Sequence, residues 1–131
     1  MEASLPEAKA LILCVDDEPI PLTLRKSVLE KWGFAVLAVR SGAEALAMIE
    51  RQPVDLVLTD LLMPGLSGTE LAREMKRLRP NIPVVLLSGV NEIPEDAEAA
   101  DLFLSKVEGP VAMCNKISEM LNRSRAKSVS G

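Results

Sequence analysis

Short apolar runs of strand length, each followed by a stretch with helical spacing, constrain this chain more than any other feature of its sequence. The runs lie at residues 11–15, 34–39, 54–60, 84–87 and 102–105. They are too short for helices and are bounded by Gly, Pro, Asp or Ser, the pattern of strands buried on both faces. Behind the first run, Leu22, Leu24, Val28, Leu29 and Trp32 fall near helical spacing, with Pro19 and Pro21 confined to the entry and Gly33 at the stop. Ser41-Gly42-Ala43-Glu44 and Ser67-Gly68-Thr69-Glu70 have capping-box spacing, opening helices that run to about residue 51 and to the stop at Pro80. Residues 94–100 leave room only for a short helix, and 111–121 form a last amphipathic one. Strands alternating with helices predict parallel βαβ units with right-handed crossovers. The expected fold is therefore α/β, a doubly wound five-stranded parallel sheet in the flavodoxin-like order 2-1-3-4-5.

A length of 131 residues suits a single domain with one core. The expected division is an N-terminal tail over 1–10, the domain over 11–122, and a C-terminal tail or linker stub over 123–131. No apolar run approaches the ~20 residues of a membrane span, and the N-terminus lacks the pattern of an export signal, so a cytoplasmic location is the default. No histidine and only two cysteines leave no ligand set for zinc. Cys14 and Cys114 are expected as small buried hydrophobes rather than a disulfide. A net charge of −4 argues against direct nucleic-acid binding.

Chemistry-bearing residues gather at the C-terminal ends of the strands, the edge where open α/β sheets bind ligands. Asp16 and Asp17 follow the first strand, Asp60 ends the third, Ser88 the fourth, and Lys106 follows the fifth. Any one of these is better read as a cap, turn or surface residue. Their joint placement on one sheet edge is what points to a site. Three carboxylates there repel one another, and at ~4 Å a pair costs on the order of 4 kcal/mol at an effective dielectric near 20. A cation must offset that. Oxygen ligands at an open edge suit Mg²⁺, while Lys106 supplies a point charge and Ser88 a hydroxyl for a phosphoryl oxygen.

Asp16-Asp17-Glu18, Asp60 with Met63-Pro64-Gly65 and Gly68, Ser88-Gly89, and Ser105-Lys106 resemble, in order and in strand context, the motifs of the CheY-like receiver domain of two-component response regulators. The resemblance spans nearly all of residues 11–121. It implies a signalling phosphoacceptor that is not a conventional enzyme but promotes its own phosphorylation and dephosphorylation. Asp60 would take a phosphoryl group from a sensor histidine kinase or phosphotransfer protein. Asp17, Asp60 and the backbone carbonyl of Leu62 would hold Mg²⁺, with Asp16 acting largely through metal-bound water. Lys106 would bind the phosphoryl group. Ser88 and Phe103 would form the switch, read by a downstream output domain or protein.

Two departures from the family pattern stand out. Val107 occupies the place of a proline that usually follows the lysine with a cis peptide, and a cis bond to a non-proline residue costs roughly 2.5–4 kcal/mol. The segment between Ser88 and Lys106 is also shorter by about one helical turn. The main rival reading is a pseudo-receiver, the same fold binding proteins without phosphorylation, yet every acidic and lysine position is kept. A haloacid dehalogenase-type hydrolase would want an aspartate where Leu62 stands. A flavodoxin would not place Asp16-Asp17-Glu18 against a phosphate.

Overall fold

The computed structural model describes residues 9–89 and 99–130, the side chains of 125–130 excepted. Its core is a parallel sheet of β1 (Leu11–Val15), β2 (Ala35–Val39), β3 (Leu56–Asp60), β4 (Val84–Ser88) and β5 (Leu102–Ser105) in the order β2-β1-β3-β4-β5. Helices α1 (Pro19–Trp32), α2 (Gly42–Arg51), α3 (Gly68–Leu78) and α4 (Pro110–Ser130) cover both faces. One 3₁₀ turn, Lys106–Glu108, joins β5 to α4. The doubly wound fold expected from the alternating pattern is what the chain adopts.

The period of two along each strand sorts side chains between two cores. Ile12, Cys14, Leu56, Leu58, Val85 and Leu87 pack against Leu22 and Leu29 of α1 and Cys114, Ile117 and Leu121 of α4. Leu13, Val15 and Val57 pack on the other face against Ala45 and Ile49 of α2 and Leu71 and Met75 of α3. All five residues of β3 are buried, as a central strand flanked by neighbours on both edges must be. Cys14 and Cys114 are both buried free thiols.

Three expectations need correction in detail. Leu24 and Trp32 do not join the core stripe of α1 but lie exposed, because Leu24 sits only two residues from Leu22, about 200° around a helix. The last helix does not stop near residue 121 but continues to Ser130, since no Gly or Pro interrupts the segment after Pro110. Ala10 is no tail residue: it is buried, and its carbonyl accepts the Ala35 N–H at 2.9 Å. The short helix expected over 94–100 lies outside the described residues except for Ala99 and Ala100, which are not α-helical. Every described peptide is trans, including Lys106–Val107.

Gly68 opens α3 directly beneath the end of β3. A Cβ there would overlap the Asp60 carbonyl oxygen and stand 2.9 Å from Leu86 Cδ2 and 3.0 Å from Leu61 Cα. Two of those three neighbours are backbone and cannot swing aside. Gly68→Ala is therefore expected to destabilise the fold by about 2 kcal/mol or more, measured by urea unfolding at unchanged m-value.

Candidate functional site

The C-terminal edge of the sheet collects the residues singled out from the sequence. Oxygens of Asp16, Asp17 and Asp60 all lie within 4.8 Å of one another. Ser88 pairs in register with Ser105 across the β4–β5 edge, and Lys106 reaches over from the turn beyond β5 so that its Nζ lies 2.5 Å from Asp60 Oδ1. Phe103 is partly buried opposite Leu86. Leu62 lies two residues past Asp60 with its side chain exposed.

Asp60 is the centre of the arrangement. It ends the most buried strand and is only 6% exposed. Its Oδ1 is buried, and Lys106 meets it as an ion pair off the hydrogen-bonding angle, so this oxygen has a charge partner but no directed hydrogen bond. Burial pushes the Asp60 carboxyl above its ordinary value. Lys106 pulls it back down, and Asp16 adds a smaller upward push.

The loop around Asp60 is pinned by the backbone. Leu61 N–H donates to the Leu87 carbonyl at 2.9 Å and Gly68 N–H to the Leu61 carbonyl at 2.9 Å, while the buried Thr59 hydroxyl donates to the Asp60 carbonyl at 3.0 Å.

Lys106 is aimed by a device the sequence reading did not find. Ser105 Oγ accepts the Val107 N–H at 3.2 Å, and Glu108 reaches back to the Ser105 N–H at 3.2 Å, a reciprocal capping box over one 3₁₀ turn. Lys116 holds Glu108 in place at 3.0 Å. The signal was available, because Ser105-Lys106-Val107-Glu108 repeats the Ser-x-x-Glu spacing used to place the other helix starts.

A second unforeseen residue is Arg25. Its Nη1 donates to Asp16 Oδ2 at 3.0 Å, both side chains being nearly buried, and Asp16 Oδ1 accepts the Glu18 N–H at 2.9 Å. Arg25 falls three residues after Leu22 and four before Leu29, inside the buried stripe of α1. A charged residue in such a stripe calls for a partner, and that was the missed signal. Cys14, beside this pair, has its thiol pushed up to about 11 by burial, against the lowering effect of Arg25. Among the described residues none forms an ion pair with the Asp17 carboxylate; Arg40 Nη2 donates instead to its backbone carbonyl at 3.2 Å.

The donor set suits a hard divalent cation: clustered carboxylate oxygens, one of them buried without a directed hydrogen bond. Asp17 and Asp60 could supply carboxylate ligands to such an ion, Asp60 while its Oδ1 faces Lys106.

Residues 12–118 of this doubly wound chain match the family described as response regulator receiver domain. The chain belongs to that family. It is 34% identical over 119 residues to the transcriptional regulatory protein GlrR of Escherichia coli K12, covering 88% of this chain and 27% of GlrR. It is 39% identical over 90 residues to the sensor histidine kinase GacS of Pseudomonas protegens, covering 66% of this chain and 10% of GacS. A response regulator receiver domain protein of Clostridium thermocellum superimposes with a TM-score of 0.82 at 33% identity, covering 89% of this chain and 98% of that one. The chain thus spans about a quarter or less of the two curated relatives.

Because the Asp60 carboxyl is raised, the folded state binds its proton more tightly than the unfolded state does. The resulting penalty is absent below the ordinary carboxylate range and complete above the raised value. In metal-free buffer, Asp60→Asn should therefore melt a few degrees above the parent at pH 7, with the gain shrinking as pH falls toward that range. Thermal unfolding across a pH series checks this.

Proposed function

We propose that this chain is a phosphoacceptor that takes a phosphoryl group onto Asp60 from the phosphohistidine of a sensor histidine kinase or phosphotransfer protein. The observation that carries the reading is Asp60 Oδ1, buried at a strand end against Lys106 and within reach of two further carboxylates. An Asp60 oxygen attacks phosphorus as the P–N bond breaks, and the imidazole leaves with the electron pair. Such a transfer needs positioning and charge neutralisation more than acid–base groups. Asp17, Asp60 and the Leu62 carbonyl would hold Mg²⁺, which neutralises phosphoryl charge when bound. Lys106, already on Asp60, would hold one phosphoryl oxygen, and Ser88 would offer its hydroxyl to another. Phe103, partly buried on the edge strand β5, would repack as Ser88 moves.

The surface around the site supports a protein donor. Ile20, Leu24, Leu62, Val107 and Val111 are large apolar side chains more than half exposed, and three of them stand within three residues of Asp17, Asp60 or Lys106. An apolar rim around a charged centre fits a partner's surface better than free phosphate. Family membership and the likeness to GlrR and GacS support a kinase partner and an output domain or protein downstream.

Acetyl phosphate with Mg²⁺ should label the chain, and Asp60→Asn should abolish the label; undiminished labelling of that variant would refute the acceptor assignment. Asp17→Ala should weaken Mg²⁺ binding about tenfold or more in a metal titration, because it removes a direct carboxylate ligand. Lys106→Ala should bind Mg²⁺ but lose most of the donor-induced spectral change. The apolar rim gives a separate expectation: Ile20→Lys and Val107→Lys should slow transfer from a phosphorylated histidine donor about tenfold or more while leaving acetyl phosphate labelling intact, since a small donor does not use the rim.

A further inference from the structure

Three carboxylates gather at the sheet edge, two of them ion-paired to a cation, and the second of these cations, Arg25, has no role in the phosphoryl-transfer reading. Lys106 is on Asp60 and Arg25 is on Asp16, while among the described residues the Asp17 carboxylate has no ion pair and Arg40 meets only its backbone carbonyl. The two cations line the same cavity of about 260 Å³, whose walls include Leu24, Val28, Leu87 and Met113.

Asp16 has both oxygens engaged. Oδ2 takes the guanidinium and Oδ1 takes the Glu18 N–H, with the Asp16 side chain 3% exposed. Each oxygen keeps a lone pair, but rotating the carboxylate to present it to an ion would lengthen its bond to a nearly buried guanidinium or to an N–H at the entry of α1. Asp17, by contrast, has a carboxylate without an ion pair among the described residues. We propose that Arg25 is a resident counter-cation that withholds Asp16 from the metal's ligands and sets a low metal affinity, leaving the ion to Asp17 and Asp60. The proposal rests on the Mg²⁺ site described above.

Arg25 is a positioning residue: it acts through Asp16 and through its charge. Removing one positive charge within a few ångströms of a divalent ion, and freeing a carboxylate in the same step, should tighten binding about tenfold. The test is Mg²⁺ titration of the parent, Arg25→Met and Arg25→Lys by calorimetry, with Mn²⁺ binding followed by electron paramagnetic resonance. Arg25→Met keeps the aliphatic bulk in the cavity wall and should bind about tenfold tighter, whereas Arg25→Lys keeps the charge and should stay within about threefold of the parent. A merely structural arginine would give the opposite order, with Arg25→Met equal to the parent or weaker, and that result overturns the proposal.

A measurement on the unaltered chain covers the case in which Arg25→Met does not fold. The Arg25 side-chain N–H resonances should remain hydrogen-bonded and slow to exchange at Mg²⁺ saturation. Their loss on metal addition would show Asp16 passing to the ion, and would equally overturn the proposal. If the parent itself takes up no Mg²⁺, the metal site is what fails, an outcome distinct from Mg²⁺ binding that Arg25→Met leaves unchanged.

Discussion

Negative charge concentrated at one edge of a buried sheet is the constraint to which the rest of this structure answers. β3 carries Asp60 out of a fully buried strand, so the carboxylate is desolvated before any ligand arrives. β1 brings Asp16 and Asp17 alongside. α1 and the β5–α4 turn each deliver a cation to a carboxylate of this cluster, and Arg40 adds a third beside Asp17. The two ion-paired cations are held differently. Lys106 is partly exposed and placed by a one-turn capping box, whereas Arg25 is enclosed by α1 and the cavity wall. The exposed cation is free to follow an incoming group, and the enclosed one is fixed to its carboxylate.

Acids at the opposite edge show what a structural carboxylate looks like in the same molecule. Asp55 Oδ2 accepts the Leu11 N–H at 2.7 Å, and Asp101 Oδ2 accepts the Val84 N–H at 2.7 Å while pairing with Lys76. Each satisfies the first N–H of a strand and is thereby committed. Asp16 resembles these, because backbone and arginine occupy its two oxygens. Asp17 and Asp60 do not, and the division falls within the acidic cluster itself.

The fold was legible because strand burial leaves an unambiguous apolar run and the helix starts carry their own chemistry. Ser67 and Glu70 form the reciprocal box their spacing announced. At Ser41 the reading was half right: its hydroxyl accepts the Glu44 N–H, but Glu44 reaches past it to the Arg40 N–H. Asp16, Asp17, Asp60, Ser88 and Lys106 were found because they end strands, and strand polarity alone sends them to one edge. Arg25 was not found, because it lies in the middle of a helix and its partner is nine residues back in the chain. Its place in the buried stripe between Leu22 and Leu29 signalled that it needs a partner, but not that the partner is Asp16. Leu24 was misplaced because it stands two residues from Leu22 and so faces away from the core, and Trp32, the last residue of α1, is exposed as well.

Packing also decides in which direction a change at Asp60 can travel. Toward β1 it meets strand residues of zero or near-zero exposure, wedged between α1 and α2, where any displacement must open a void or force a clash. Toward β5 the resistance is lower. β5 is an edge strand paired only with β4, three of its four residues are partly exposed, and Ser88, Phe103 and Lys106 all lie on that side. Gly68 closes the remaining route, since α3 sits too tightly beneath the Asp60 carbonyl for the strand end to drop. The compliant part of the structure is thus the β4–β5 edge, and a new charge on Asp60 would be felt first by the residues whose side chains have room to move there.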